Sequence, residues 1–133
     1  MKIALIAHDN KKSSMVSFVE KHVDFFRSCV IYSTGNTGKT MGKFNLPSLT
    51  ILKSGPLGGD AQIAASLVEG KIDCVFFFID PLHSHAHEVD IHMLLRLCNV
   101  YDIPLATNEA TAECVVQILK SKNVQLTRIN SLN

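Results

Sequence analysis

Residues 74–80, CVFFFID, decide the fold. Six apolar residues run without interruption and then stop at Asp80. A half-buried strand alternates apolar and polar side chains. This one is apolar on both faces, as a strand in the middle of a parallel sheet must be. It is far too short to cross a bilayer, which takes about 20 residues of helix.

Similar short runs lie on either side. KIALIAH (2–8), CVIYST (29–34) and LTIL (49–52) precede it, and IPLAT (103–107) follows. Helical spacing fills the gaps. Met15, Phe18, Val19, His22, Val23 and Phe26 make one stripe, with Ser13 or Ser14 as its N-cap. Ile63, Ala64, Leu67 and Val68 make a second, starting at Gly59 and closing at Gly70. Val89, Met93, Leu94, Leu97, Cys98 and Tyr101 make a third, and residues 111–120 a further helix. NVQLTRI (123–129) reads as a last short strand. The strand–helix alternation predicts an α/β fold: a three-layer α/β/α domain on a mostly parallel five-stranded sheet, with right-handed crossovers.

The 133 residues suggest one domain, 1–133. Apolar residues make up 47% and charged residues 19%, with a net charge of +1, which describes a globular chain. Its basic residues are scattered and Trp is absent, so no nucleic-acid face is expected. Cys29, Cys74, Cys98 and Cys114 form no CxxC pair and read as buried reduced thiols. The run IALIA after Lys2 is too short for a signal peptide, and no membrane span is expected.

In open α/β sheets, ligands bind beyond the carboxyl ends of the strands. The segments following the five strands are HDNKK, STGNTG, SGPLGGD, DPLHSHAH and TNEAT, and together they predict one composite site. STGNTG joins two glycines to the hydroxyls of Thr34 and Thr37 ahead of a short helix. Glycine lets main-chain N–H groups approach an oxyanion, which suits a phosphate monoester. It is neither a dinucleotide fingerprint nor a P-loop. Ser54 and Gly55 offer a second small turn rich in donors, and His8 and Lys12 add positive charge. Asp60, after Gly58-Gly59, is either a helix-start carboxylate or a general base. Asp9, Asp80 and Asp90 stand on the same rim. Asp80 caps a turn before Pro81. Asp90, three residues after His87, could orient that histidine. His83, His85 and His87 alternate, and three imidazoles on one side of an extended strand could hold a metal. Pro81 and the following helical stripe bend the segment, so the three need not share a face. His22 and His92 read as surface or helix-face residues.

Taken together, AHDNKK (7–12), STGNTG, SGPLGGD, IDPLHSHAHEVD (79–90) and LLRL…IPLATNEATA resemble the methylglyoxal synthase family over about residues 2–112. SGPLGGD followed by DPL…H…D is highly specific. The resemblance implies a lyase that converts dihydroxyacetone phosphate to methylglyoxal and inorganic phosphate, a glycolytic bypass, with no metal or other cofactor. It also implies a cytoplasmic homohexamer inhibited by inorganic phosphate. Carried over by residue, Asp60 is the base and His87 assists proton movement at the substrate oxygens. His8, Lys12, Thr34, Gly35, Asn36, Thr37, Ser54 and Gly55 bind substrate, and Asp9 and Asp90 order the site. Asn36 stands where a threonine often occurs, and the tail after Lys120 offers no clear counterpart to an arginine that some members carry. His83 and His85 read as loop or subunit-contact residues. The same fold serves as the phosphoester-sensing regulatory domain of carbamoyl-phosphate synthetase, which makes a non-catalytic sensor the rival reading. A metal-dependent hydrolase built on His83, His85 and His87 is a third.

Overall fold

The central strand behaves as its composition dictates. In the computed structural model, which describes residues 1–121, β4 (Cys74–Phe78) is buried at every position. Its side chains alternate between two cores. Cys74, Phe76 and Phe78 join Met15, Phe18 and Val116 on one face. Val75 and Phe77 join Ile63, Leu67, Ile91 and Leu94 on the other. β1 (Lys2–Ala7) divides in the same way, with Ile3, Leu5 and Ala7 on the first face and Ala4 and Ile6 on the second. Each fully buried Phe or Leu contributes on the order of 1.5–3 kcal/mol, so these two strands anchor both layers.

β2 (Val30–Ser33), β3 (Leu49–Ile51) and β5 (Leu105–Ala106) complete a sheet of order β3-β2-β1-β4-β5. All of its pairings are parallel, with Ile3 opposite both Ile31 and Cys74. The chain builds outward from β1 to β3 and then crosses back to start again at β4. The strand order therefore reverses between β1 and β4, the place where such sheets open a crevice.

Six α-helices stand among the described residues: α1 (Lys12–Lys21), α2 (Val23–Arg27), α3 (Gly35–Thr40), α4 (Gly59–Val68), α5 (Glu88–Val100) and α6 (Glu109–Leu119). The first stripe is two helices rather than one, because the backbone turns at His22 (φ −116°, ψ 30°). Neither Ser13 nor Ser14 is an N-cap. A 3-10 turn, Asp9–Lys11, runs straight into α1 at Lys12, so both serines lie inside the helix. α4 closes as expected, with Gly70 at φ 75° and Lys71 N–H donating to the Ser66 carbonyl at 2.8 Å. Val89, expected on the buried stripe of α5, is instead exposed. Burial raises the thiol pKa of Cys29, and those of Cys74 and Cys98 to about 12, but Cys114 is exposed and not buried as expected. The strand expected at NVQLTRI, and the tail after Lys120 beyond Ser121, lie outside the described residues.

Candidate active site

Four of the five strand ends meet at one cavity of about 520 Å³ over the β1–β4 opening. The fifth segment, TNEAT, does not line it. β5 lies beyond β4 at the edge of the sheet, and Asn108 is engaged as the N-cap of α6, accepting from Thr111 N–H at 2.9 Å.

At the end of β1, the His8 N–H donates to the Phe78 carbonyl, tying β1 to β4. The His8 ring accepts at Nδ1 from the Asp80 N–H at 2.9 Å. Its hydrogen therefore sits on Nε2, which is buried without a hydrogen-bond partner among the described residues. Burial and the positive potential of His85 and His87 lower the His8 pKa to about 4, so the ring is neutral at physiological pH. Asp9 is exposed, bonds Lys12 and is pulled below the ordinary carboxylate range by it. Lys12 also donates to the Ala7 carbonyl at 3.3 Å, which fixes its ammonium at the strand end.

At the end of β2, Gly35 lies so close to the next turn that a Cβ there would meet Ser54 N at 2.9 Å. Thr34 occupies the N-cap position of α3, but its hydroxyl makes no cap bond. Thr37 differs from expectation: its hydroxyl donates to the Ala7 carbonyl at 3.2 Å and accepts from Ala7 N–H at 3.3 Å. It fastens α3 to β1 instead of standing free as a donor.

At the end of β3, a tight 3-10 turn, Gly55–Leu57, leads into α4. Any Cβ at Gly59 would fall 2.0 Å from the Lys53 carbonyl oxygen, so this close approach requires glycine. The turn delivers Asp60 as the second residue of α4, 1% exposed, with no hydrogen-bond partner for either carboxylate oxygen among the described residues. An N-cap aspartate would bond the helix amides; Asp60 does not. Burial raises its pKa, His87 partly opposes this, and the charge of Asp90 adds to it.

Beyond β4, Asp80 accepts from Leu82 N–H at 3.0 Å and from the Asn10 amide at 2.9 Å, and pairs with His83 at 2.7 Å. The Leu82 amide leads in holding its pKa low. His87 precedes α5, and its Nε2 lies 3.4 Å from Asp60 Oδ2 while its buried Nδ1 has no hydrogen-bond partner among the described residues. The expected His87–Asp90 pairing is not among these contacts. His87 sits before the first helical turn, so the three-residue spacing that would align two helical side chains does not apply. Asp90 lies outside the cavity lining; its main-chain N–H donates to the His87 carbonyl at 3.0 Å, and its charge acts on Asp60. A Cβ at Gly55 would come within 2.9 Å of His87 Nε2 and 3.3 Å of Asp60 Oδ2, so glycine lets this pair close on the turn.

His83, His85 and His87 diverge to Asp80, His8 and Asp60 respectively. Among the described residues no group of three or more His, Cys, Asp or Glu side chains is placed to hold a metal ion. Sequence reasoning missed the Asn10–Asp80–His83 network and the His8–His85 stack. Asp80 two residues before Leu82 is a local signal for the turn; the stack has none, because its rings come from different strand ends.

Chemically, the cavity offers a buried carboxylate of raised basicity, two imidazoles whose buried nitrogens are unbonded among the described residues, a fixed ammonium and two small-residue turns. That is equipment for removing a proton beside a carbonyl and stabilising the resulting oxyanion. A family profile described as "MGS-like domain" matches residues 14–107. The chain is 48% identical over 122 residues to the methylglyoxal synthase of Acholeplasma laidlawii (strain PG-8A), covering 92% of this chain and 100% of that protein. It is 50% identical over 117 residues to that of Thermoanaerobacter sp. (strain X514), covering 88% and 89%. The crystal structure of methylglyoxal synthase from Elizabethkingia anophelis NUHP1 matches with a TM-score of 0.79 at 38% identity, covering 91% of this chain and 78% of that one.

Proposed function

The chain belongs to the methylglyoxal synthase family, and from that premise we propose that it converts dihydroxyacetone phosphate to methylglyoxal and inorganic phosphate. The observation that carries this reading is Asp60, a buried carboxylate with neither oxygen hydrogen-bonded among the described residues and His87 at 3.4 Å. A phosphoester sensor has no use for such a group, whose desolvation costs stability.

Asp60 takes a proton from the carbon beside the ketone, and the electron pair left behind forms an enediolate. His8 Nε2–H donates to a developing oxygen, and His87 moves a proton between the oxygens. Lys12, Thr34, Ser54 and the main chain at Gly35, Asn36 and Gly55 hold the phosphate. They hold its bridging C–O bond roughly perpendicular to the enediolate plane, so the π electrons expel phosphate with the bonding pair. The enol that remains takes a proton at its methylene carbon, gives up its hydroxyl proton and becomes methylglyoxal. Asp9 serves by fixing Lys12, and Asp90 by raising the basicity of Asp60. Inorganic phosphate, a product that fits the same cradle, competes with substrate. No metal takes part, so activity survives exhaustive chelation. The working state is a cytoplasmic homohexamer; a monomer in sedimentation at micromolar concentration would contradict it. No helix among the described residues is long and apolar enough to cross a membrane.

The deciding experiment incubates the purified chain with dihydroxyacetone phosphate in the presence of chelator and assays methylglyoxal and phosphate together. Equal release of both is expected; absence of turnover would sink the proposal.

A further inference from the structure

His85 has no part in the chemistry above, yet its ring is stacked on that of His8. The two rings stack with centroids 3.7 Å apart and planes 24° from parallel. His85 Nε2 lies 3.2 Å from the Asp80 carbonyl oxygen. A carbonyl only accepts, so this nitrogen carries a hydrogen. The N–H of the same Asp80 donates to His8 Nδ1 at 2.9 Å. One residue thus fixes both rings, through its N–H on one side and its C=O on the other. Asp80 is in turn held by the Leu82 amide, Asn10 and His83. What this assembly leaves unbonded among the described residues is the buried Nε2 of His8.

Building on the lyase reading, we propose that His85 is a positioning residue: its stack and its bond to Asp80 hold His8 as the Nε2–H tautomer, with that N–H directed at a substrate oxygen. On balance the groups packed around His8 keep it neutral. Phe77 of β4 meets the ring edge-on at 5.2 Å, and His87, before α5, at 6.0 Å. Lys12 of α1, together with His85 and His87, opposes a positive charge on His8; the Asp80 carboxylate favours one but is outweighed, with burial the largest influence. A second hydrogen on Nδ1 would also face the Asp80 N–H donor head-on. A neutral imidazole donor can polarise a carbonyl without becoming an acid that competes for the base.

The test uses ring-¹⁵N-labelled full-length chain. In the wild type the His8 ring nitrogens should report a single Nε2–H tautomer down to near its low titration point, at about pH 4. In His85→Ala the two tautomers should average, and the His8 midpoint should rise by ~1 unit as a like charge and part of the burial are removed. kcat should fall by ~10-fold, the scale of a sub-ångström loss of alignment, with KM changed far less. His85→Phe, which keeps a stacking ring, should recover part of the loss, and His92→Ala, on an exposed helix face, should match wild type. An unchanged His8 spectrum in both His85→Ala and His85→Gln would overturn the proposal. The spectra need no substrate. A chain that turns nothing over, yet shows the His8 shift, would remove the lyase reading while supporting the ring clamp.

Discussion

Two histidine–carboxylate pairs stand at different places in this molecule, one with Glu113 and one with Asp60, and they differ in how fully they are bonded. His22, between α1 and α2, is 4% exposed; sequence reading had put it on the surface or a helix face. Its Nε2 meets Glu113 of α6 at 2.8 Å and its Nδ1 meets Lys120 at 2.6 Å, so both ring nitrogens are engaged. Lys21 adds a second cation to Glu113 at 3.3 Å. Burial pushes the Glu113 pKa up, but His22 and Lys21 together outweigh it and hold it low. His87 and Asp60 are 3.4 Å apart, their remaining side-chain polar atoms have no hydrogen-bond partners among the described residues, and the Asp60 pKa is raised. One pair is a finished structural joint. The other is unfinished among the described residues, and the proposed chemistry has substrate supply its missing bonds. Chemical identity alone does not mark a site; unmet hydrogen-bonding capacity inside a cavity does.

The contrast is easiest to break at the carboxylates. Asp60→Asn should lower turnover by ~10⁴-fold, the upper end for loss of acid–base catalysis. It should leave phosphate binding intact and raise the melting temperature at neutral pH. The sign follows from linkage: a carboxylate with a raised folded pKa destabilises the fold above its ordinary range, and that penalty fades as pH falls and it protonates. Glu113→Gln should do the opposite, leaving turnover intact and lowering the melting temperature. A less stable Asp60→Asn chain, or one that still turns over, would erase the distinction.

At the histidines the effects should be smaller. His87→Gln should cost ~100-fold in turnover. His22→Gln should keep turnover near wild type while losing roughly 1–3 kcal/mol of stability, the cost of leaving a buried partner unsatisfied. Equal activity losses from the two would show that both act through structure.

Phosphate sharpens the comparison from outside. Lys12→Ala should weaken competitive inhibition by inorganic phosphate by about 10-fold, the loss of one charge-assisted bond. Lys21→Ala should not change it. Titration of the inhibition constant in both variants checks this, and an equal shift would disperse the cradle.

The smallest effect is the pH dependence of the finished pair. Glu113 has a depressed folded pKa, so its stabilisation is present above the ordinary glutamate range and is lost as pH falls through the depressed value. Melting curves of wild type and Glu113→Gln should converge in acid and separate towards neutrality.

The sheet was legible because Cys74, Val75, Phe76, Phe77 and Phe78 leave no polar face, and burial on both sides admits only a central strand. The gathering of strand ends was legible from topology, apart from TNEAT, where the edge position of β5 was not written locally. The break at His22 was not legible, since a stripe at helical spacing looks the same whether or not the backbone turns in the middle. Spacing also misdirected the partner of His87. Asp90 was near in sequence, whereas Asp60 is near in space because glycines at 55 and 59 allow two turns to close together. The histidine run resisted reading for the same reason. Three imidazoles two residues apart suggest a shared face only if the backbone stays extended, and here each ring answers to a different strand end.

The placement of β1 also has a consequence for biosynthesis. Of these five strands, the first to leave the ribosome is the middle one. Its first neighbour, β2, arrives early, and the Val30 amide can then bond the Met1 carbonyl. Its other edge must wait for β4, since Ile3 pairs with Cys74 and the His8 amide with the Phe78 carbonyl. Until then a nascent or truncated chain carries a bare apolar edge open to other chains. The cavity has no opposite wall, so no ligand of that site can assist these early steps. In pulse-labelled hydrogen exchange during refolding, the Val30 amide should gain protection before that of His8; the reverse order would mean that the two halves of the sheet meet first.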